Sequence, residues 1–501
     1  MCAASHRPVH AVIDVGSKSV RLLVARQLSS AAFEVVDEER FDARLGEGQS
    51  DGALTPAAIE RGLRAMRVVS QVARSYEPAA IVAVGTEALR QARNAESFIE
   101  RAFIETSIRI RVLEAHEEAA ASFVGVANGT GLDSATVVDI GGGSLEVMQV
   151  EARRLERVYS VPLGAIYATE KFFRSDPPSG REVRELRHAV RASIENGVTS
   201  PTLYGSGGAI RSLARMVRIR REHPLRRLHG FVIERRELSR LARDLYDASA
   251  SKRRTMRGLN PERVATLPAA AVVIDEVMDV VGATELNVSG QGMREGLVWQ
   301  EMRGGPDILP DVRTSSIAGL AAANGVDILA AEPRVDAARR LFEETQPLHR
   351  YGPADLDLLL HATRLAGIGV HIDYYNSDRH AEYLVHSGDL HGFTHREIVL
   401  LAGIVRWAMV ENADLKAYKP LLERGDRDRV RTLAAFLGVA RAAWRRKDAP
   451  VTRLDATLAD DRLQLTVHAS EPIDAELYAL EYHAARLEDA LGINVTLVGQ
   501  T

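Results

Sequence analysis

Two stretches of this chain obey one pattern: an apolar strand, an aspartate, a glycine-bearing turn with serine, and a second apolar strand. The first is VHAVIDVGSKSVRLLVA, Val9 to Ala25, and the second is TVVDIGGGSLEVMQV, Thr136 to Val150. A polar break between β-branched runs closes a hairpin, and its recurrence marks an internal duplication. One such turn is explained by hairpin closure alone; two matched turns constrain the fold to paired α/β units whose turns face each other across a cleft. Glycine lets a backbone approach a phosphate closely, and the N–H groups around Gly16 and around Gly141, Gly142 and Gly143 can donate to its oxygens together with the hydroxyls of Ser17, Ser19 and Ser144. A carboxylate has no useful direct contact with phosphate. Asp14 and Asp139 therefore make sense with Mg²⁺ between, an ion that keeps several waters and takes one or two carboxylates. Glu146, on the strand after the second turn, is a further candidate ligand, and Mn²⁺ is the alternative ion.

The remaining pattern divides the chain. Thr55-Pro56 opens a helix that carries Ile59, Leu63, Met66 and Val69 on one face. Strands are expected at Ile81 to Val84, at Ile108 to Val112, at Thr202 to Tyr204 and at Leu286 to Ser289, with a helix opened by Asn260-Pro261 before the last. Past Gly304-Gly305-Pro306 nearly everything reads as helix to about Arg446, and seven of the fifteen histidines lie between His349 and His395. From Val451 the pattern returns to strand, helix and strand. The expected divisions are 1–127 and 128–303 for the duplicated α/β units, 304–446 for a helical domain and 447–501 for a small α/β appendage.

With Lys+Arg 64 against Asp+Glu 68 the net charge is −4, so no global positive field draws the chain to nucleic acid or to an anionic membrane. A polyanion would need a local patch. The single cysteine, Cys2, excludes an intrachain disulfide and a cysteine-based zinc site. Met1 to His10 lacks a basic-then-apolar leader pattern, and no run approaches the ~18 apolar residues of a spanning helix, so the expected compartment is the cytoplasm.

IDVGSKS (Ile13 to Ser19), VGTEALRQARN (Val84 to Asn94), HEEA (His116 to Ala119), VVDIGGGSLEV (Val137 to Val147), VPLGA (Val161 to Ala165), YGSGGAI (Tyr204 to Ile210) and GMREG (Gly292 to Gly296) stand in an order and near a spacing that resembles the exopolyphosphatase and guanosine pentaphosphate phosphohydrolase (Ppx/GppA) family. The resemblance is close over roughly residues 9–300 and looser beyond. It implies a duplicated, actin-like pair of domains of the sugar-kinase and ribonuclease H-like type, with phosphoanhydride substrate and Mg²⁺ in the cleft, followed by an all-helical HD-like domain and the small α/β tail. It also implies a homodimer.

Carried over by motif, Glu118 is the expected general base, a task that suits a carboxylate whose pKa burial raises. Its neighbour Glu117 competes for the role, but adjacent helical residues point ~100° apart, so only one can face the cleft. Arg90 matches the arginine expected to hold a phosphate oxygen. Lys18 stands where the family commonly has Asn and adds a cation, whereas Ala120 replaces an expected Arg. Gly205, Ser206, Gly207 and Gly208 are expected to form a further phosphate loop ahead of the helix Ala209 to Val217. Gly290 stands where the family often has Asp, and Arg294 and Glu295 are expected to pair with each other.

Arginines crowd between Arg211 and Arg227 and again at Lys252 to Arg257, either as a track for polyphosphate or as a solvated face. HIDYYNSDRHAEYLVHSGDLHGFTHRE (His371 to Glu397) resembles the HD-type domain, yet Ala366-Gly367 stands where its His-Asp metal pair belongs. His349, His361 and His380 are thus expected to be structural or substrate-facing, and the domain to cover the cleft, bind distal phosphates or pair two copies. The leading expectation is hydrolysis of inorganic polyphosphate from its end. Its rivals are cleavage of guanosine pentaphosphate, a non-catalytic polyphosphate or nucleotide sensor, and a kinase.

Overall fold

The computed structural model describes residues 7–47, 52–194, 200–410, 414–446 and 448–500. Cys2 lies outside them. The chain forms two compact units, 1–312 and 313–501.

In the first unit, strands β1 (Val9–Val15), β2 (Val20–Ser29), β3 (Ala32–Phe41), β4 (Ala80–Gly85) and β5 (Ile110–Val112) make a sheet of order β3-β2-β1-β4-β5. A second sheet contains β6 (Ala135–Ile140), β7 (Leu145–Glu151), β8 (Arg154–Val161), β9 (Thr202–Ser206), β10 (Val232–Glu234) and β11 (Glu285–Val288), in the order β10-β11-β9-β6-β7-β8. Without β10 the second order repeats the first. In each, two antiparallel pairings are followed by two parallel ones. The duplication read from two turns is therefore a duplication of whole sheets.

Local chemistry sets the elements. Thr55 caps the helix Pro56–Ser75 by accepting from the Ala58 N–H at 3.2 Å, and Ile59, Leu63, Met66 and Val69 are buried with Leu22, Val24 and Phe98. The helices Ala115–Gly129 and Met293–Arg303 cross in close contact. A Cβ on Gly296 would stand 1.8 Å from the Ala121 carbonyl oxygen, and one on Gly125 would stand 2.1 Å from that of Gly292. One side of this pair, with Ala121, Leu297 and Val298, packs on Val12, Leu23 and Val84 of the first sheet. The other, with Phe123 and Trp299, packs on Val137 and Met148 of the second. The pair thus joins the two halves and fixes the cleft between them. Asn260-Pro261 opens a short 3₁₀ turn, Pro261–Arg263, rather than a helix; the helix begins at Leu267.

In the second unit, helices such as Glu332–Glu344, Pro353–Leu365, His395–Trp407 and Asp426–Ala443 lead to a sheet of β12 (Val451–Ala459), β13 (Arg462–Ala469) and β14 (Asn494–Gln500), with helix Asp474–Leu491 before β14. The tail therefore has one strand more than its sequence pattern suggested. It is fastened to the helices of its own unit, for instance by the Leu458 N–H donating to Glu344 Oε1 at 2.8 Å. His349 has both ring nitrogens engaged, Nε2 at 2.9 Å from the Phe342 carbonyl oxygen and Nδ1 accepting from the Tyr351 N–H at 2.9 Å. His361 Nε2 lies 3.1 Å from Asp357 Oδ1 one helical turn away. No helix among the described residues is long and apolar enough to cross a membrane.

Candidate active site

The two hairpins close in the same way. Gly16 N–H donates to the Ser19 carbonyl at 3.1 Å, and Gly141 N–H donates to that of Ser144 at 3.0 Å. Register then sets corresponding residues opposite one another: Asp14 faces Arg21 across β1 and β2, and Asp139 faces Glu146 across β6 and β7. One duplicated position carries a cation in the first half and a carboxylate in the second, so the repeats are equal in backbone and unequal in charge. Both turns line one cleft of about 170 Å³, with Gly142 and Ser17 near contact across it.

Four carboxylates share one end. Glu118 is in the first turn of Ala115–Gly129 and faces the cleft with a side chain 16% exposed. Glu117 instead caps that helix, accepting from the Glu114 N–H at 2.9 Å and pairing with Arg111 at 2.6 Å. Burial pushes the Glu118 carboxyl up to about 7; Arg90 opposes the rise, and Asp14 and Asp139 add to it. Glu146 is buried, accepts from Ser160 Oγ at 3.2 Å, and is held well above the usual carboxylate range by burial and by the charges of Glu118 and Asp139. Asp14 is raised by burial too, against Arg21 and Arg294, and its buried Oδ1 has no hydrogen-bond partner. Asp139 Oδ2 accepts from Ser122 Oγ, which lies 3.4 Å from Ser206 Oγ.

Like charges gathered around an unpartnered carboxylate oxygen suit a divalent cation. Among the described residues no three His, Cys, Asp or Glu side chains close into a cage of their own. Asp139 and Glu146 stand opposite each other across β6 and β7, with Asp14 beside them, and a pair of carboxylates is what an ion that retains most of its water could use.

Cations share the cleft with the carboxylates. Lys18, Arg21, Arg211 and Arg263 line it. Arg263 is pushed down to about 10 by burial and by Arg21, Arg211 and Arg40, while Lys18 is lowered by burial and then by Arg40 and Arg263. Gly207 and Gly208 line the cleft beneath Arg263. Gly207 adopts φ +97°, and a Cβ there would meet the Ile140 carbonyl oxygen at 2.6 Å and Asp139 Oδ1 at 2.9 Å, so only glycine serves.

The sequence matches the Ppx/GppA phosphatase family over residues 23–304 and domain III of that family over residues 312–483. The chain belongs to the Ppx/GppA phosphatase family. Solved structures agree. A Ppx/GppA family member from Aquifex aeolicus is 26% identical, with a TM-score of 0.53 over 59% of this chain and 97% of its own. The type II variant of the Aquifex aeolicus phosphatase is 27% identical, with a TM-score of 0.51 over 59% of this chain and 99% of its own. An exopolyphosphatase from Cytophaga hutchinsonii, 21% identical, shares the fold with a TM-score of 0.56 over 59% of this chain and 98% of its own. Ppx/GppA membership makes the chain a phosphatase, and so a hydrolase.

Within this Ppx/GppA cleft the motif residues are distributed unevenly. Gly16 to Ser19, Gly141 to Ser144, Gly207, Gly208, Asp14, Asp139, Glu118 and Glu146 all line it. Arg90 does not: its Nη1 donates to the Leu113 carbonyl at 2.6 Å and to Glu118 Oε2 at 3.0 Å, so it grips Glu118 rather than the open space. Gly205 is within β9, where Ile210 and Leu286 occupy the room of a side chain, and Ser206 lies behind Asp139 in the hydroxyl network. Arg294 and Glu295 pair as expected, at 3.8 Å, but Arg294 Nη2 binds Glu38 Oε1 more closely, at 2.7 Å, and Glu295 also caps its helix by accepting from the Gly292 N–H at 2.8 Å. Of the arginine crowd, only Arg211 lines the cleft. Arg220 and Arg221 pair with Asp244 and Glu237, and Arg253 is buried, donating to the Val264 carbonyl and pairing with Asp176. Arg21, Glu87 and Arg263 escaped the sequence reading. The alternation around β1 and β2 held a signal for Arg21, seven residues after Asp14 as Glu146 is after Asp139.

Proposed function

We propose that this phosphatase removes terminal phosphates from inorganic polyphosphate in a Mg²⁺-dependent reaction. The observation that carries the proposal is a cleft lined by a carboxyl poised at about 7, Glu118, together with a cluster of cations. A terminal phosphate seated on the N–H groups of the two turns lies between them, with following phosphates against Lys18, Arg21, Arg211 and Arg263. Glu118 accepts a proton from water as the water oxygen bonds to the terminal phosphorus. The bridging P–O bond breaks, its electron pair stays with the shortened chain, and inorganic phosphate leaves. Mg²⁺ held by Asp139 and Glu146, beside Asp14, would offset the negative charge of the reacting phosphate. Arg90 keeps the Glu118 carboxylate aimed into the cleft. Positioning and fixed charge supply the acceleration, as suits a loose phosphoryl transition state.

Guanosine pentaphosphate carries the same terminal group. Among the described residues no aromatic side chain lines the cleft, so none of them offers a stacking surface for a guanine, and this favours polyphosphate. Glu118→Gln keeps the shape and removes the base. Its phosphate release should fall by about 10²–10⁴-fold with polyphosphate binding retained, and the wild-type rate should decline as pH drops below about 7. Near wild-type turnover by Glu118→Gln would remove the base from this reading.

A further inference from the structure

The second unit contains a cavity of about 520 Å³, a size typical of small-molecule sites. It is walled by the helices Glu332–Glu344, Asp426–Ala443 and Asp474–Leu491 and by residues that follow Asp426–Ala443, Pro353–Leu365 and His395–Trp407. Its charge is one-sided. Arg334, Arg441 and Arg445 line it, and among the described residues no carboxylate does. The charged form of Arg441 is disfavoured by burial and by the like charge of Arg334. Among the described residues neither Arg334 nor Arg441 has an acidic partner within ion-pair distance, and Arg334 Nε has no hydrogen-bond partner.

Other arginines of this unit are differently placed. Arg396 pairs with Asp426 at 2.6 Å, Arg406 with Glu382, and Arg364 with Glu332 at 3.0 Å. Even half-burying a guanidinium without an anion is costly, and two facing one cavity amount to a site that lacks its counter-charge among the described residues. The wall also carries Trp444 and Tyr374, and His483 with Nδ1 unpartnered. His483 is held neutral, down to about 4, by burial and by Arg486 and Arg441, so it adds no further positive charge to the wall.

We propose that this cavity binds a phosphate-bearing small anion, gripped by the forks of Arg334 and Arg441 beside the aromatic wall, at a site separate from the catalytic cleft. Guanidinium forks match phosphate oxygens in pairs. Two sources share this chemistry, a purine nucleoside diphosphate and an inorganic oligophosphate. Trp444 and Tyr374 offer the nucleotide a surface that the catalytic cleft lacks.

The test uses the full chain with chelator present, titrated with ADP and, separately, with inorganic tripolyphosphate. Binding is read by tryptophan emission, assigned with Trp444→Phe, and by the shift in Tm. At least one probe should give saturable changes in both. Response to ADP alone assigns the site to nucleotides, and response to tripolyphosphate assigns it to inorganic oligophosphate. Arg441→Met should weaken that binding about tenfold or more, release phosphate from polyphosphate at the wild-type rate, and melt no lower than the parent, since it removes an uncompensated charge. Arg334→Gln carries the same expectation should Arg441→Met fail to fold. No saturable response to either probe, or unchanged affinity in both variants, would overturn the proposal.

Discussion

Glu87 shows how single side chains divide the work of the cleft. It lines the site opposite Gly143, where a Cβ would collide with its carboxylate, and burial raises its carboxyl against Arg90 and Gln91. A carboxylate there repels a polyanion whose terminal phosphate uses the Gly143 N–H. Glu87→Gln should therefore lower the KM for polyphosphate by about threefold to tenfold, the size of one screened like-charge contact, with kcat little changed. A loss of kcat instead would make Glu87 part of the chemistry. Legibility at this scale followed geometry. Helix rotation said that only one of Glu117 and Glu118 can point inward and the motif favoured Glu118; the structure turns Glu117 to the cap. Arg90 could be recognised as important but not placed: a motif names a residue without saying whether its fork meets ligand or base. Arg21 and Arg263 were not singled out: the repeat that matches Arg21 to Glu146 was there to be read, whereas Arg263, in a short turn, has no periodicity to betray its burial.

At the scale of elements, the missed strands β3, β8 and β10 are all edges of their sheets. Edge strands carry charge and exposure that discourage pairing with other chains, and AFEVVDEERF and RLERVYSV do so, losing the apolar alternation by which inner strands such as β1 and β6 announce themselves. The crossed helices were equally hidden, because a contact between Gly296 and Ala121 has no local signature. That contact makes a prediction. Gly296→Ala must part the two helices that join the sheets, costing about 1–3 kcal/mol by overpacking, read from the denaturation midpoint. It should also depress kcat, since Glu118 begins one of those helices. Unchanged stability would mean the pair is looser than its geometry.

For the molecule as a whole, the raised carboxyls trade stability for chemistry. A carboxyl whose folded pKa is raised binds protons more tightly folded than unfolded, so its contribution is present below about 4.5 and is lost as pH rises through its folded value. For Glu118, from 4.5 to about 7, that loss is on the order of 3 kcal/mol. Glu118→Gln, which cannot ionise, should thus melt like the wild type near pH 5 and progressively above it toward pH 8, measured without metal. A constant difference across that range would show the carboxyl to be unperturbed. The duplicated architecture of the first unit was legible because its signal repeats. The extra strand β12 was not, since VTRLDATLA is as exposed and charged as the other edges.

The central claim is that the cleft hydrolyses a terminal phosphoanhydride with the aid of Mg²⁺, and the most direct measurement is phosphate release by the purified chain from long-chain polyphosphate and from guanosine pentaphosphate, with Mg²⁺ and with chelator. Release from polyphosphate that requires Mg²⁺, exceeds release from the nucleotide and disappears in Glu118→Gln is the predicted result. Release from neither substrate with Mg²⁺ present would contradict it.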